Sequence, residues 1–122
     1  MNPVPPSMLD VLLQAEPMSQ VVFIHDYIQL VFQETHWSLY NPVTVRCSGC
    51  ILTESDLGFA DALRRLIGQR VVETSEEQGQ FASATFEGRT QILVSLRSED
   101  ARSPEAYELG NDKGLSVVEQ NE

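Results

Sequence analysis

Thr53-Glu54-Ser55-Asp56-Leu57-Gly58-Phe59-Ala60-Asp61-Ala62-Leu63-Arg64-Arg65-Leu66-Ile67-Gly68 is the one stretch of the chain with a strong amphipathic helix pattern. Phe59, Leu63, Leu66 and Ile67 recur at the three-and-four spacing that gathers them on one helical face. Asp61 and Arg65 form an i,i+4 pair of opposite charge on another face. Thr53 or Ser55 suits the N-cap, Glu54 and Asp56 suit the positive end of the helix dipole, and Gly68 suits the stop. A helix with one apolar stripe needs a surface to cover, and strand-like runs stand on both sides of it. The expected fold class is therefore α+β: a mostly antiparallel, meandering sheet of about 6–8 strands covered by one main helix over residues 54–67.

Working outward toward the N-terminus, Ile28, Leu30 and Phe32 alternate with Gln29, Val31 and Gln33, and Trp37 and Leu39 alternate with His36, Ser38 and Tyr40. Period-two alternation of this kind predicts a hairpin turning at Glu34-Thr35, preceded by the strand Val21–Ile24 and the pair His25-Asp26. Asn41-Pro42 interrupts it, Val43-Thr44-Val45 resumes as a short strand, and Ile51-Leu52 leads into the helix. Asn2–Pro6 reads as a loose arm, followed by a short helix over Met8–Glu16 capped by Ser7 and ended by Pro17. The expected division is an arm over 1–19 and a single α+β domain over 20–122.

Toward the C-terminus, Arg70–Glu73 reads as a strand and Thr74–Gly79 as a polar, acid-rich loop. Phe81–Phe86 and Thr90–Leu96 flank Glu87-Gly88-Arg89, a hairpin whose Gly supplies the positive φ of the turn. Ser98–Ala106 is polar, and Leu115–Val118 reads as a last strand after a turn at Gly110-Asn111-Asp112.

The islands Asp26–Phe32, Leu39–Pro42, Leu66–Val71, Thr85–Gly88, Leu93–Asp100 and Pro104–Ala106 resemble a group of small bacterial proteins of uncharacterised function. The likeness spans residues 20 to 118. Some of that group look like immunity proteins encoded beside toxins, so the resemblance implies a binding role and transfers no catalytic residue. Ala101-Arg102-Ser103 departs from the pattern, which carries an aromatic residue and a Gly before the Pro.

The chain has 122 residues, 42% apolar and 21% charged, enough for one domain with its own core. Its formal charge of -10 opposes a nucleic-acid backbone or an anionic membrane as partner and permits a basic protein. No apolar run is long enough for a secretory leader or a membrane span, and two cysteines cannot frame a disulfide-rich domain, so cytoplasm is the expected compartment.

Among the chemical motifs, Cys47-Ser48-Gly49-Cys50 is a C-x-x-C pair that could serve as a redox dithiol or as half of a metal site completed by His25 and His36. Neither helix placement nor a second ligand pair supports it, so two small apolar thiols at a strand-to-helix turn is the plainer reading. His25-Asp26 lacks any nucleophile motif, and no Gly-rich phosphate loop or cofactor signature is present. The leading expectation is a non-enzymatic, cofactor-free acidic binding protein. Its contacts would be Glu73, Glu76 and Glu77 together with Arg97, Glu99, Asp100, Arg102 and Glu105. The alternatives are a metal or redox site on Cys47 and Cys50, and a self-associating module forming a homodimer through the N-terminal helix or a sheet edge.

Overall fold

Alternation of apolar and polar residues governs far more of the chain than the single helical stripe does, and it decides the architecture. The computed structural model describes residues 8–111 and 116–121. The arm over residues 2–6 with its Ser7 cap, Asp112 and Leu115 lie outside them. A 3-10 helix, Met8–Gln14, comes first. Five strands follow: β1 (Gln20–Ile24), β2 (Tyr27–Phe32), β3 (Thr35–Leu39), β4 (Val43–Cys47) and β5 (Cys50–Thr53). A helix, α1 (Phe59–Arg64), then leads to β6 (Val71–Glu77), β7 (Phe81–Phe86), β8 (Gln91–Ser95), β9 (Glu105–Asn111) and β10 (Ser116–Gln120).

The strands form two five-stranded sheets, in the orders β1-β2-β3-β9-β10 and β5-β4-β8-β7-β6. Every pairing is antiparallel. In the first sheet Leu30 stands opposite Trp37 and Trp37 opposite Leu109, so one buried row crosses β2, β3 and β9. In the second, Val45 faces Ile92 and Ile92 faces Ala84. The two apolar faces close on each other, with the Phe32 and Phe86 rings 6.2 Å apart across the core, and within the first sheet Trp37 stands edge-on to Tyr107 at 6.0 Å.

These findings overturn the α+β expectation. The fold is a mostly antiparallel two-sheet β structure, and no main helix covers a sheet. Residues 54–67 divide for local reasons. Asp56 Oδ2 accepts the backbone N–H of Thr53 at 2.7 Å, closing a turn, and Gly58 takes φ 90°. Helical geometry therefore begins only at Phe59. After Arg64 the chain tightens, with Leu66 N–H donating to Leu63 O and Ile67 N–H to Arg64 O, and Gly68 ends it at φ 94°. Phe59, Leu63 and Leu66 are buried, but Ile67 is 45% exposed and Leu57 98% exposed. Six residues of helix cannot shield a sheet; the other sheet does that.

Two further features close the sides. Leu9 and Leu12 of the 3-10 helix, with Ala15 and Met18, belong to the buried core. Met18 donates its N–H to Gln69 O at 2.9 Å and accepts that of Gly68 at 2.7 Å, joining the lead-in of β1 to that of β6. At the β7–β8 turn the positive φ falls on Arg89, at 75°, and not on Gly88. Gly88 instead lies close against the Gln69 side chain. Its N–H donates to Gln69 Oε1 at 2.9 Å, and a Cβ there would meet that oxygen at 3.0 Å. Among the described residues no helix is long and apolar enough to cross a membrane.

Candidate functional site

The acids expected in a loop after Glu73 stand instead on a strand. β6 runs to Glu77 and is the last strand in its sheet order, with Glu73 opposite Thr85, Ser75 opposite Ser83 and Glu77 opposite Phe81. Glu73 and Glu77 point to the outer face and are exposed, about 13 Å apart along the strand. Thr74 and Glu76 turn inward. Thr74 Oγ1 meets Asp10 Oδ1 at 2.5 Å, and Glu76 Oε1 accepts the hydroxyl of Tyr107 at 2.8 Å. Burial first, then that bond and the charges of Glu76 and Glu119, hold the Tyr107 hydroxyl well above its usual value.

The second group, Arg97 to Glu105, is satisfied locally. Arg97 Nε binds Glu99 Oε1 at 2.6 Å, and Asp100 Oδ2 accepts the Ser95 hydroxyl at 2.6 Å. Arg102 pairs with Glu54 at 2.8 Å, while the other Glu54 oxygen accepts the N–H of Val43 at 3.2 Å. Glu105 opens β9, where Ser103 Oγ bonds its backbone. The anchor of this segment is a residue the sequence reading passed over. Asn41, 0% exposed, donates to Ser95 O at 2.9 Å and Asn121 Oδ1 at 2.7 Å, and accepts the N–H of Arg102 at 3.3 Å. Its position before Pro42, between two strands, was the available signal.

Three further arginines are engaged by carboxylates. Arg64 and Arg65 both bind Asp61, at 2.6 and 2.9 Å, and Arg70 lies 3.5 Å from Glu16. The hydrogen bond from Arg64, ahead of the other charges, keeps the Asp61 carboxyl below its ordinary value. Arg46 bonds Gln91.

Cys47 and Cys50 face each other across the β4–β5 hairpin, flanking a Ser48-Gly49 turn in which Gly49 has φ 77°. The expected strand-to-helix turn is thus a hairpin turn. Both thiols are free. His25 sits in the β1–β2 turn, its Nε2 3.6 Å from Asp26 Oδ1, and both side chains are almost wholly exposed. His36 lies on β3 of the first sheet, whereas both cysteines belong to the second. No group of three or more His, Cys, Asp or Glu side chains converges among the described residues.

An open cleft of about 540 Å³ lies at one end of the two sheets, walled by His25, Asp26, Tyr27, Tyr40, Glu54 and Arg102 among others. Tyr27 and Tyr40 form a tilted pair with centroids 5.1 Å apart. Burial, then Glu108 and Glu105, raise the Tyr40 hydroxyl above its usual value. Within the cleft the Glu54 carboxylate is held by Arg102 and Val43, and the Ser103 hydroxyl by the backbone of Glu105.

Comparison with known proteins returns no matching family model, no significant match to a curated protein and no significant match to a solved structure.

Proposed function

We propose that the chain is a non-enzymatic acidic binding protein of the cytoplasm that engages a basic protein, in its concrete form as an immunity-type neutraliser of a basic toxin. One observation carries this reading. Among the described residues, Glu73 and Glu77 on the outer face of β6 are exposed and form no ion pair, while Arg64, Arg65, Arg70, Arg97 and Arg102 are each bound to a carboxylate. Part of the formal charge of -10 therefore falls on carboxylates that no described cation pairs with. A basic segment lying along β6 would place alternate side chains over Glu73 and Glu77, because both chains repeat at the pleat spacing. Attraction across water speeds encounter, and buried anchors set the lifetime of the complex.

The test is fluorescence anisotropy of an extended lysine-rich peptide against the wild-type chain and an E73Q/E77Q double variant. Both positions are exposed, so the variant keeps the fold. Affinity is expected to fall about tenfold in the variant, and to fall for the wild type between about 0.05 and 1 M salt. Equal binding by the two proteins, or binding indifferent to salt, overturns the proposal. The toxin-neutralising form predicts that growth in the presence of a basic toxin from the neighbouring gene is rescued by the wild type and not by the double variant.

A further inference from the structure

We infer that Cys47 and Cys50 form a dithiol–disulfide site that reacts with low-molecular-weight disulfides without any movement of the fold. The pair stands in register at the end of a two-residue hairpin. Opposed residues of an antiparallel ladder have Cα atoms about 4.5 or 5.5 Å apart, and both spacings fall inside the range a disulfide spans. The two thiols lie near enough to influence each other's ionisation. Gly49 supplies the left-handed residue the tight turn requires, so the backbone geometry that opposes the thiols is fixed by the hairpin itself.

The environments of the two thiols assign their roles. Cys50 is exposed, whereas Cys47 is half-buried and packs against the core. Interaction with the Cys50 thiol, then burial, raise the Cys47 thiol, with Arg65 opposing them. Cys50 is therefore the group that meets the reagent. Its thiolate attacks one sulfur of the small disulfide, forming a mixed disulfide and expelling the first small thiolate. Cys47, having passed its proton to solvent, then attacks Cys50 Sγ and expels the second. Two protein thiols are oxidised to one disulfide, one small disulfide is reduced to two thiols, and each expelled thiolate takes up one proton. The atoms and electrons balance with no further oxidant.

Oxidised glutathione serves as the probe, with thiol alkylation and intact-mass analysis as the readout. Wild-type protein is expected to lose both alkylatable thiols, stay monomeric and retain no glutathione. The C47S variant is expected to stop at a stable glutathione adduct on Cys50, and the C50S variant to react more slowly. In glutathione redox buffer the native chain is expected to favour the disulfide at least about tenfold more than the chain unfolded in guanidinium, because the hairpin supplies the proximity. Wild type accumulating as a glutathione adduct or covalent dimer overturns the inference, as does a native preference no greater than that of the unfolded chain.

Discussion

Replacing Tyr107 with Phe removes one hydroxyl from the core and leaves the ring, and its consequence changes with pH. Tyr107 is 0% exposed and its hydroxyl donates to Glu76 at 2.8 Å. Glu76 lies at an exposed position and regains water when the donor is lost. At neutral pH the cost is thus one hydrogen bond to a charged acceptor, about 1.5 kcal/mol, or a Tm lower by about 4–8 °C at this chain length. Burial and Glu76 hold the folded-state pKa of Tyr107 above its ordinary 10.0. The stabilisation is complete below that value. Above it the unfolded chain releases the proton while the folded chain keeps it, so the unfolded state binds fewer protons and stability declines by about 1.4 kcal/mol per pH unit. The Y107F variant has no such proton. Urea unfolding of both proteins from about pH 7.5 to about pH 11 should show a wild-type advantage that shrinks above pH 10 and is nearly gone at the top of the range. An advantage that stays constant refutes the account of Tyr107 as a buried hydroxyl whose proton the fold retains.

Two other substitutions test the packing. Leu63→Ala should cost about 2–5 kcal/mol, since Leu63 is fully buried, whereas Ile67→Ala on the same nominal stripe should stay within about 0.5 kcal/mol by urea titration. Asn41→Ala should cost about 2–3 kcal/mol and free the segment it anchors. Trypsin should then cut at Arg97 or Arg102 faster than in the wild type while cleavage elsewhere is unchanged.

The strands were legible where alternation is strict. β2, β3, β7 and β8 follow from Ile28-Leu30-Phe32, Trp37-Leu39 and the runs flanking Glu87–Arg89, because a half-buried strand leaves its period in the sequence. The fold class was not legible, since the spacing of Phe59, Leu63 and Leu66 is the same in a long helix and in one turn of helix continued by tighter turns. The side chain of Asp56 and the left-handed Gly58 made the difference, and both act through geometry. β9 is masked in the sequence by the polar residues before it and by the turn chemistry of Gly110-Asn111-Asp112. Tyr107 and Leu109 therefore carry no local sign of being core residues, because their partners on β3 lie far back in the chain. At the candidate site the acids themselves were evident. Which of them are already spent on arginines depended on contacts no local pattern encodes, as Arg102 reaching Glu54 illustrates. The facing of Cys47 and Cys50 likewise required β5 to be a strand.

The pairing of Met18 with Gly68 and Gln69 has a dynamic consequence. It joins the residues that lead into β1 to those that lead into β6, strands of different sheets, so its two amides are expected to lose protection together when that link opens. Deuterium should consequently enter Met18 and Gly68 at one shared rate, set by the opening of that reciprocal pair.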